Sequence, residues 1–357
     1  MANRSYVAAF DRSIRSFFVD AFRQALRNPG RAWFLLRTLW NQKRASRVRR
    51  GWQLRGTQPP AFMIMSVTQK CNLHCQGCYA HALRRQAEPE MDDAKLQSVV
   101  AEAHDLGISI ILLASGEPLT RPDILHITAS HPEIIFPLFT SGLLIDPAMA
   151  RQLSRQPQLV PVISLEGHVQ ETDARRGLGT FAGATQAMSY LRQAGVFYGA
   201  SITVTNRNLS TVTSEAYIHE LNSLGCRLFF FIDFVPVEPG SESLVLDTTQ
   251  RMDLAERITA LRACLPGLYV AFPGDEERYG GCLAAGRGFV HVSPEGWLEP
   301  CPFSPYADTN LKTHSLKDAL QSQLLRQIRE NPDHLGEKGG GCALWARREW
   351  VESLLPK

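Results

Sequence analysis

From residue 62 to residue 264 the chain repeats one local pattern: a short apolar run rich in β-branched and aromatic residues, then a longer stretch with apolar side chains at helical spacing. Runs near 62–67, 108–113, 134–139, 160–165, 197–204 and 227–234 read as strands, and stretches near 92–105, 121–130, 146–156, 180–194, 210–224 and 248–264 read as helices. Strands that are apolar on both faces must be covered on both, and a helix between each strand and the next makes the strands parallel. The fold class is therefore α/β. Six such units predict a partial (β/α)6 barrel of TIM type, whose reactive groups gather at the C-terminal ends of the strands.

The ends of the chain depart from this pattern. Residues 1–55 carry 13 Lys/Arg against 2 Asp/Glu, a net +11, whereas the remainder carries 25 against 33, a net −8. Within that basic segment Phe10, Ile14, Phe17, Phe18, Ala21 and Ala25 share one helical face over 8–27, with Arg12, Arg15, Arg23 and Arg27 opposite. Asn28-Pro29-Gly30 is expected to break this helix before a second stretch bearing Trp33, Phe34, Leu36, Leu39 and Trp40 and a basic tail. Beyond about residue 266 the alternation is expected to stop, with a hairpin over 281–303 turning at Ser293-Pro294-Glu295-Gly296 and a helix near 315–329. The expected division is an N-terminal pair of amphipathic helices over 1–58, the barrel over 59–265 and a small C-terminal unit over 266–357.

No apolar run reaches the roughly 18–20 residues of a spanning helix, and no secretory signal is present, so a cytoplasmic location is expected. Reduced thiols make the eight cysteines candidates for metal ligation or catalysis rather than disulfides. The tightest group, Cys71, Cys75 and Cys78, follows the first strand directly. Three thiolates in one loop can hold three irons of a [4Fe-4S] cube and leave the fourth open to a small molecule. Structural zinc is the alternative, and it would need a fourth ligand such as His74.

The Cys71-Asn-Leu-His-Cys75-Gln-Gly-Cys78 loop with its following Tyr79 resembles the CxxxCxxC signature of the radical S-adenosylmethionine (SAM) superfamily. The resemblance implies SAM chelated at the open iron, one-electron reduction by a small donor such as flavodoxin or ferredoxin, and a 5′-deoxyadenosyl radical that abstracts a substrate hydrogen. Ser115-Gly116-Glu117-Pro118, one βα unit later, is similar to that family's GGEP motif, with Glu117 expected to face the SAM ammonium. Ser164-Leu165-Glu166-Gly167 and the Arg175-Arg176-Gly177 segment resemble the SxDG and RG-x-GTF motifs, which makes Ser164 and Glu166 candidate contacts to SAM. Ser201 and Asn206, on and after the fifth strand, are further candidates to line the cofactor cavity, and Asp233, ending the sixth, is the candidate catalytic carboxylate. As bland alternatives, Arg175 and Arg176 belong to the cap region of the next helix, and Asp233 is a solvated loop acid.

Cys282, thirteen residues, Gly296, four residues and Cys301, with Cys342 downstream, resembles the opening of the SPASM/twitch auxiliary-cluster motif. It implies a second, auxiliary [4Fe-4S] cluster in the C-terminal unit. Cys226 and Cys264 read as packing residues. The expected function is radical modification of an organic substrate. An interfacial reading of residues 1–58 favours a lipid or other amphiphile at an anionic membrane surface, with the protein peripheral on the inner face. Packing of the helices on the barrel, a dimer contact and an organellar transit peptide are the other readings of the segment. A ribosomally made peptide is the alternative substrate, and an Fe-S electron carrier or sensor is the alternative of another class. A nucleic-acid partner is not expected.

Overall fold

Each of the six expected strands forms within two residues of its predicted bounds, as β1 (Phe62–Ser66), β2 (Ile110–Ala114), β3 (Phe136–Thr140), β4 (Leu159–Leu165), β5 (Gly199–Val204) and β6 (Leu228–Asp233). The computed structural model describes residues 14, 17–19, 29–83, 85, 88–272, 280–336 and 342–355. Three further strands extend the sheet: β7 (Leu268–Phe272), β8 (Phe289–Val292) and β9 (Leu298–Glu299). Their order across one sheet is β7-β6-β5-β4-β3-β2-β1-β8-β9, parallel throughout except for the β8–β9 hairpin. The sheet is thus a partial TIM-type barrel.

Two expectations need correction here. The alternation does not stop at 266, because the helix Thr248–Cys264 returns the chain to β7 on the free edge of β6. The hairpin does not stand apart from the barrel either, since β8 pairs in parallel with β1. The two sheet regions also approach each other across the lumen. Phe62 on β1 lies 6.1 Å from the Phe272 ring on β7 and stacks on Phe289 of β8 at 5.1 Å.

Strand alternation divides the apolar side chains into two clusters. Phe229 and Phe231 join Ile163, Leu165, Ala200 and Ile202 beneath the helical layer. Leu228 and Phe230 point the other way, into a smaller cluster with Val160, Val162 and Leu268 at the lumen floor. The N-terminal segment closes that floor. Phe18 is buried in the lumen cluster, with Ile14, Phe17, Phe34, Leu35 and Leu39 packed against it.

The second expected stretch and its basic tail form one helix, which opens on Pro29 and Gly30 and runs to Leu54. Proline is tolerated in a first turn because that N–H has no helical partner to lose. One face of the helix is anchored to the barrel. Buried Arg49 donates to the Gly107 carbonyl, Ser109 Oγ donates to Gln42 at 2.7 Å, and the Trp52 indole donates to the Asp105 carbonyl at 3.2 Å. A side chain at Gly107 (φ +81°) would meet the Ala45 carbonyl at 2.6 Å, so the close approach depends on that glycine. Of the amphipathic helix expected over 8–27, all but Ile14 and residues 17–19 lies outside the described residues. Among the described residues no helix is long and apolar enough to cross a membrane.

Candidate active site

The three-cysteine loop leaves the C-terminal end of β1 and is tied down on three sides. Gln69 N donates to Glu90 at 2.7 Å, Gln76 N donates to the Arg175 carbonyl at 2.9 Å, and Gly77 N donates to Glu238 Oε2 at 2.9 Å. Gly77 (φ +64°) has no room for a Cβ, which would lie 2.7 Å from the Phe234 ring. The chain after β6 and the chain after β4 therefore both shape this loop. Cys71 is exposed, and Cys75 and Cys78 are half-buried. Burial pushes the Cys71 and Cys75 thiols up from their ordinary range, and for Cys75 the adjacent Arg176 and Arg175 guanidiniums pull the other way. Positive charge beside a thiolate set is what a multiply anionic iron–sulfur centre requires.

Glu117 is placed differently from the expectation. Its carboxylate is buried and accepts from Thr140 Oγ1, Ser141 N and Ser141 Oγ, each at 2.8 Å, and from Leu119 N at 3.2 Å. These bonds latch the turn to the end of β3, so the groups left to meet a ligand are the main-chain atoms of Ser115 and Gly116. Ser115 holds φ +68°, a conformation that costs a non-glycine residue roughly 1–3 kcal/mol. A Cβ on Gly116 would collide with the Lys70 and Thr68 carbonyls at 2.3 and 2.6 Å, so the cysteine loop lies directly on this turn. Pro118 then starts a short 3-10 turn, Pro118–Thr120.

Ser164 and Ser201 face one another across β4 and β5 and belong to the lumen side. Glu166 is buried just beyond them, where Arg176 Nε donates to Oε1 at 2.8 Å and Arg175 also pairs with it. Its other oxygen, Oε2, is buried without a hydrogen-bond partner among the described residues. An orphaned carboxylate oxygen beside the three-cysteine loop suits a donor on a bound cofactor, such as a hydroxyl. Asn206 lies apart from this group. It is exposed and donates to the Ser243 carbonyl at 2.7 Å, holding a loop. The residue that sequence reasoning passed over is Asn208, which is buried and donates to the Glu166 and Thr203 carbonyls at 2.9 Å each. An Asn four residues past a strand end is its only sequence signal.

Asp233 also departs from expectation. It continues the parity of Phe229 and Phe231 toward the helical layer, is buried, and accepts from Arg251 Nε at 3.0 Å. A strand residue one step out of phase with the lumen cannot face it.

The C-terminal cysteines converge. Cys301 and Cys282 are buried, Cys301 hydrogen-bonds with the half-buried Cys342, and that bond, burial and the neighbouring Cys342 and Cys282 charges push Cys301 well above the usual thiol range. Among the described residues no three Cys, His, Asp or Glu are drawn around a single-ion site. Tyr79 follows Cys78 and packs against Phe303, two residues after Cys301. Its ring meets Phe303 at 5.1 Å, and burial, followed by Cys78 and Cys301, pushes its hydroxyl above the ordinary range.

Between the two sets lies a small cavity lined by Ser66, Tyr79, Ser115, His291 and Glu299. A buried chain of polar groups forms its wall. His291 meets Ser66 Oγ through Nε2 at 2.6 Å and Glu299 through Nδ1 at 2.7 Å, and Glu299 pairs with Arg85 at 3.0 Å. None of these four was singled out in the sequence, because Ser66 and His291 become neighbours only when β8 joins β1.

The three-thiol loop lies within residues 65–213, which match the radical SAM superfamily, and the chain is a radical SAM enzyme. Its cofactors are SAM and the [4Fe-4S] cluster that binds it. The description of the radical SAM superfamily matches residues 65–213. The AdoMet-dependent heme synthase of Methanosarcina barkeri is 26% identical over 313 residues, 80% of this chain and 89% of the relative. Mycofactocin maturase MftC of Mycobacterium ulcerans is 28% identical over 318 residues, 80% of this chain and 84% of the relative. Streptococcus suis SuiB bound to precursor peptide SuiA shares the fold, with a TM-score of 0.63 at 16% identity over 83% of this chain and 72% of SuiB.

Proposed function

We propose that this enzyme modifies a ribosomally made peptide by hydrogen abstraction at the mouth of the barrel. The observation that carries the reading is the cavity lined by both Tyr79, next in sequence to Cys78, and Pro302, next to Cys301, so that it lies beside each cysteine set. The likeness to a peptide maturase supports the substrate class. In this reading Cys71, Cys75 and Cys78 hold the SAM-binding cluster. Cys282, Cys301 and Cys342 hold the auxiliary one, in a unit of SPASM or twitch type. SAM cleaved at the first cluster supplies the 5′-deoxyadenosyl radical that takes the substrate hydrogen.

The chain's own residues position that chemistry. Main-chain groups of Ser115 and Gly116 would hold the aminoacyl end of SAM, and Ser164, Ser201 and Glu166 Oε2 would offer it polar contacts from β4 and β5. Arg175 and Arg176 neutralise Glu166 and the thiolates together. The test is anaerobic incubation of reconstituted protein with SAM, dithionite and synthetic peptides encoded by short reading frames flanking the gene. A mass change in one peptide that tracks 5′-deoxyadenosine supports the reading. Turnover of an iron porphyrin with no peptide turnover refutes it.

A second reading, an amphiphilic substrate reached from an anionic membrane surface, is favoured by the outer face of the helix Pro29–Leu54. There Trp33 is 70% and Trp40 63% exposed, beside exposed Leu36, Arg37, Lys43, Arg44 and Arg47. Indole at the acyl boundary and guanidinium at the head groups is an interfacial arrangement. Removing residues 1–57 is a poor test, because the inner face of this segment covers the lumen floor. The double variant Trp33→Glu, Trp40→Glu leaves that face intact. It should abolish co-sedimentation with anionic vesicles while keeping SAM cleavage, and equal sedimentation of variant and wild type would discard the reading.

A further inference from the structure

We propose that Ser304 is the fourth protein ligand of the auxiliary cluster, through Oγ. The inference rests on the assignment of Cys282, Cys301 and Cys342 to that cluster, which leaves one iron of four without a thiolate. Ser304 closes a tight turn with Cys301. Its N–H donates to the Cys301 carbonyl at 2.9 Å, and the two residues form an isolated antiparallel bridge. Residues paired across an antiparallel ladder project to the same face, with Cβ atoms about 4.5–5.5 Å apart. Ser304 therefore faces where Cys301 faces, toward Cys342 and Cys282.

Ser304 is 1% exposed, and its Oγ has no hydrogen-bond partner among the described residues. A buried hydroxyl left unpaired keeps its full desolvation penalty, so such a group in a native fold calls for a missing partner. A thiolate partner would have brought a cysteine sulfur within hydrogen-bonding distance of Oγ, and none of the described ones is. A ligand to a different iron of the same cube needs no such contact. On binding, the Oγ–H bond breaks as the O–Fe bond forms. The proton leaves to solvent, and no iron changes valence.

The experiment uses the full chain carrying Cys71→Ala, Cys75→Ala and Cys78→Ala, so that only the auxiliary cluster remains, with Ser304 intact or changed to Ala or Cys. The readouts are Mössbauer spectra and electron-nuclear double resonance in 17O-labelled water. With Ser304 intact, one of the four irons should show oxygen ligation, with no 17O coupling. Ser304→Ala should admit labelled water to that iron or release the iron on oxidation. Ser304→Cys should keep four irons and lose the oxygen-ligated component. Coupling to 17O with Ser304 in place, or identical spectra for Ser and Ala, overturns the proposal while leaving the auxiliary cluster standing. Absence of any cluster in all three forms overturns the cysteine assignment as well.

Discussion

Replacing Glu117 separates two roles that the motif alone cannot distinguish. In the structure its carboxylate accepts four hydrogen bonds, two from main-chain N–H groups of Leu119 and Ser141 and two from the hydroxyls of Thr140 and Ser141. Glu117→Ala strands both N–H groups in a buried site, at roughly 1–3 kcal/mol each. The hydroxyls can turn to other acceptors and add less. The expected loss of unfolding free energy is about 3–5 kcal/mol. Glu117→Gln keeps an oxygen for Ser141 and loses mainly the longer Leu119 bond, so about 1–2 kcal/mol is expected. Because both oxygens are taken up by Leu119, Thr140 and Ser141, the KM for SAM in Glu117→Gln should stay within about threefold of wild type at temperatures well below unfolding. A carboxylate that bound the SAM ammonium would instead contribute roughly 1.5–3 kcal/mol, and its loss would raise KM by about 10- to 150-fold. The assays are anaerobic urea unfolding and 5′-deoxyadenosine formation against SAM concentration. A large rise in KM with unchanged stability would show that the latch argument is wrong.

Single Cys71→Ala, Cys75→Ala and Cys78→Ala variants should each abolish 5′-deoxyadenosine formation, and dithionite turnover by any of them would remove the loop from the mechanism. Asp233→Ala leaves the Arg251 guanidinium without this carboxylate partner in a largely buried site and should cost about 3–5 kcal/mol of stability, while SAM cleavage per folded molecule persists; loss of cleavage in a stably folded variant would restore Asp233 to the chemistry. Burial pushes the Cys226 thiol up to about 12, so it should resist iodoacetamide at pH 8 in the native protein while exposed Cys264 reacts, as read by peptide mass spectrometry. The same shift has a sign for stability. The unfolded thiol ionises near 9 and the folded one near 12, so the contribution is complete below pH 9 and lost as pH rises toward 12, a fall that Cys226→Ala should reduce.

Local features were legible from the sequence because they depend on near neighbours. Strand and helix alternation, the spacing of Cys71, Cys75 and Cys78, and the Gly296 turn are each set within a few residues, and six strands formed where the pattern put them. Expectations that relied on which way a side chain faces failed where pairing or packing decided it. Asp233 lies at a strand end as read, but the register of β6 on β5 turns it to the helical layer and Arg251. Glu117 lies in its motif as read, but the end of β3 captures its carboxylate. The basic segment reads as an interfacial helix, yet half of it covers the lumen floor, because an open partial barrel needs apolar side chains there from some other part of the chain. The Ser66–His291–Glu299 wall joins residues 225 apart in sequence, through a hairpin that adds itself to the edge of β1. No local pattern encodes that meeting: parallel edge pairing is a free-energy balance of the whole sheet, and only the assembled fold selects the partner.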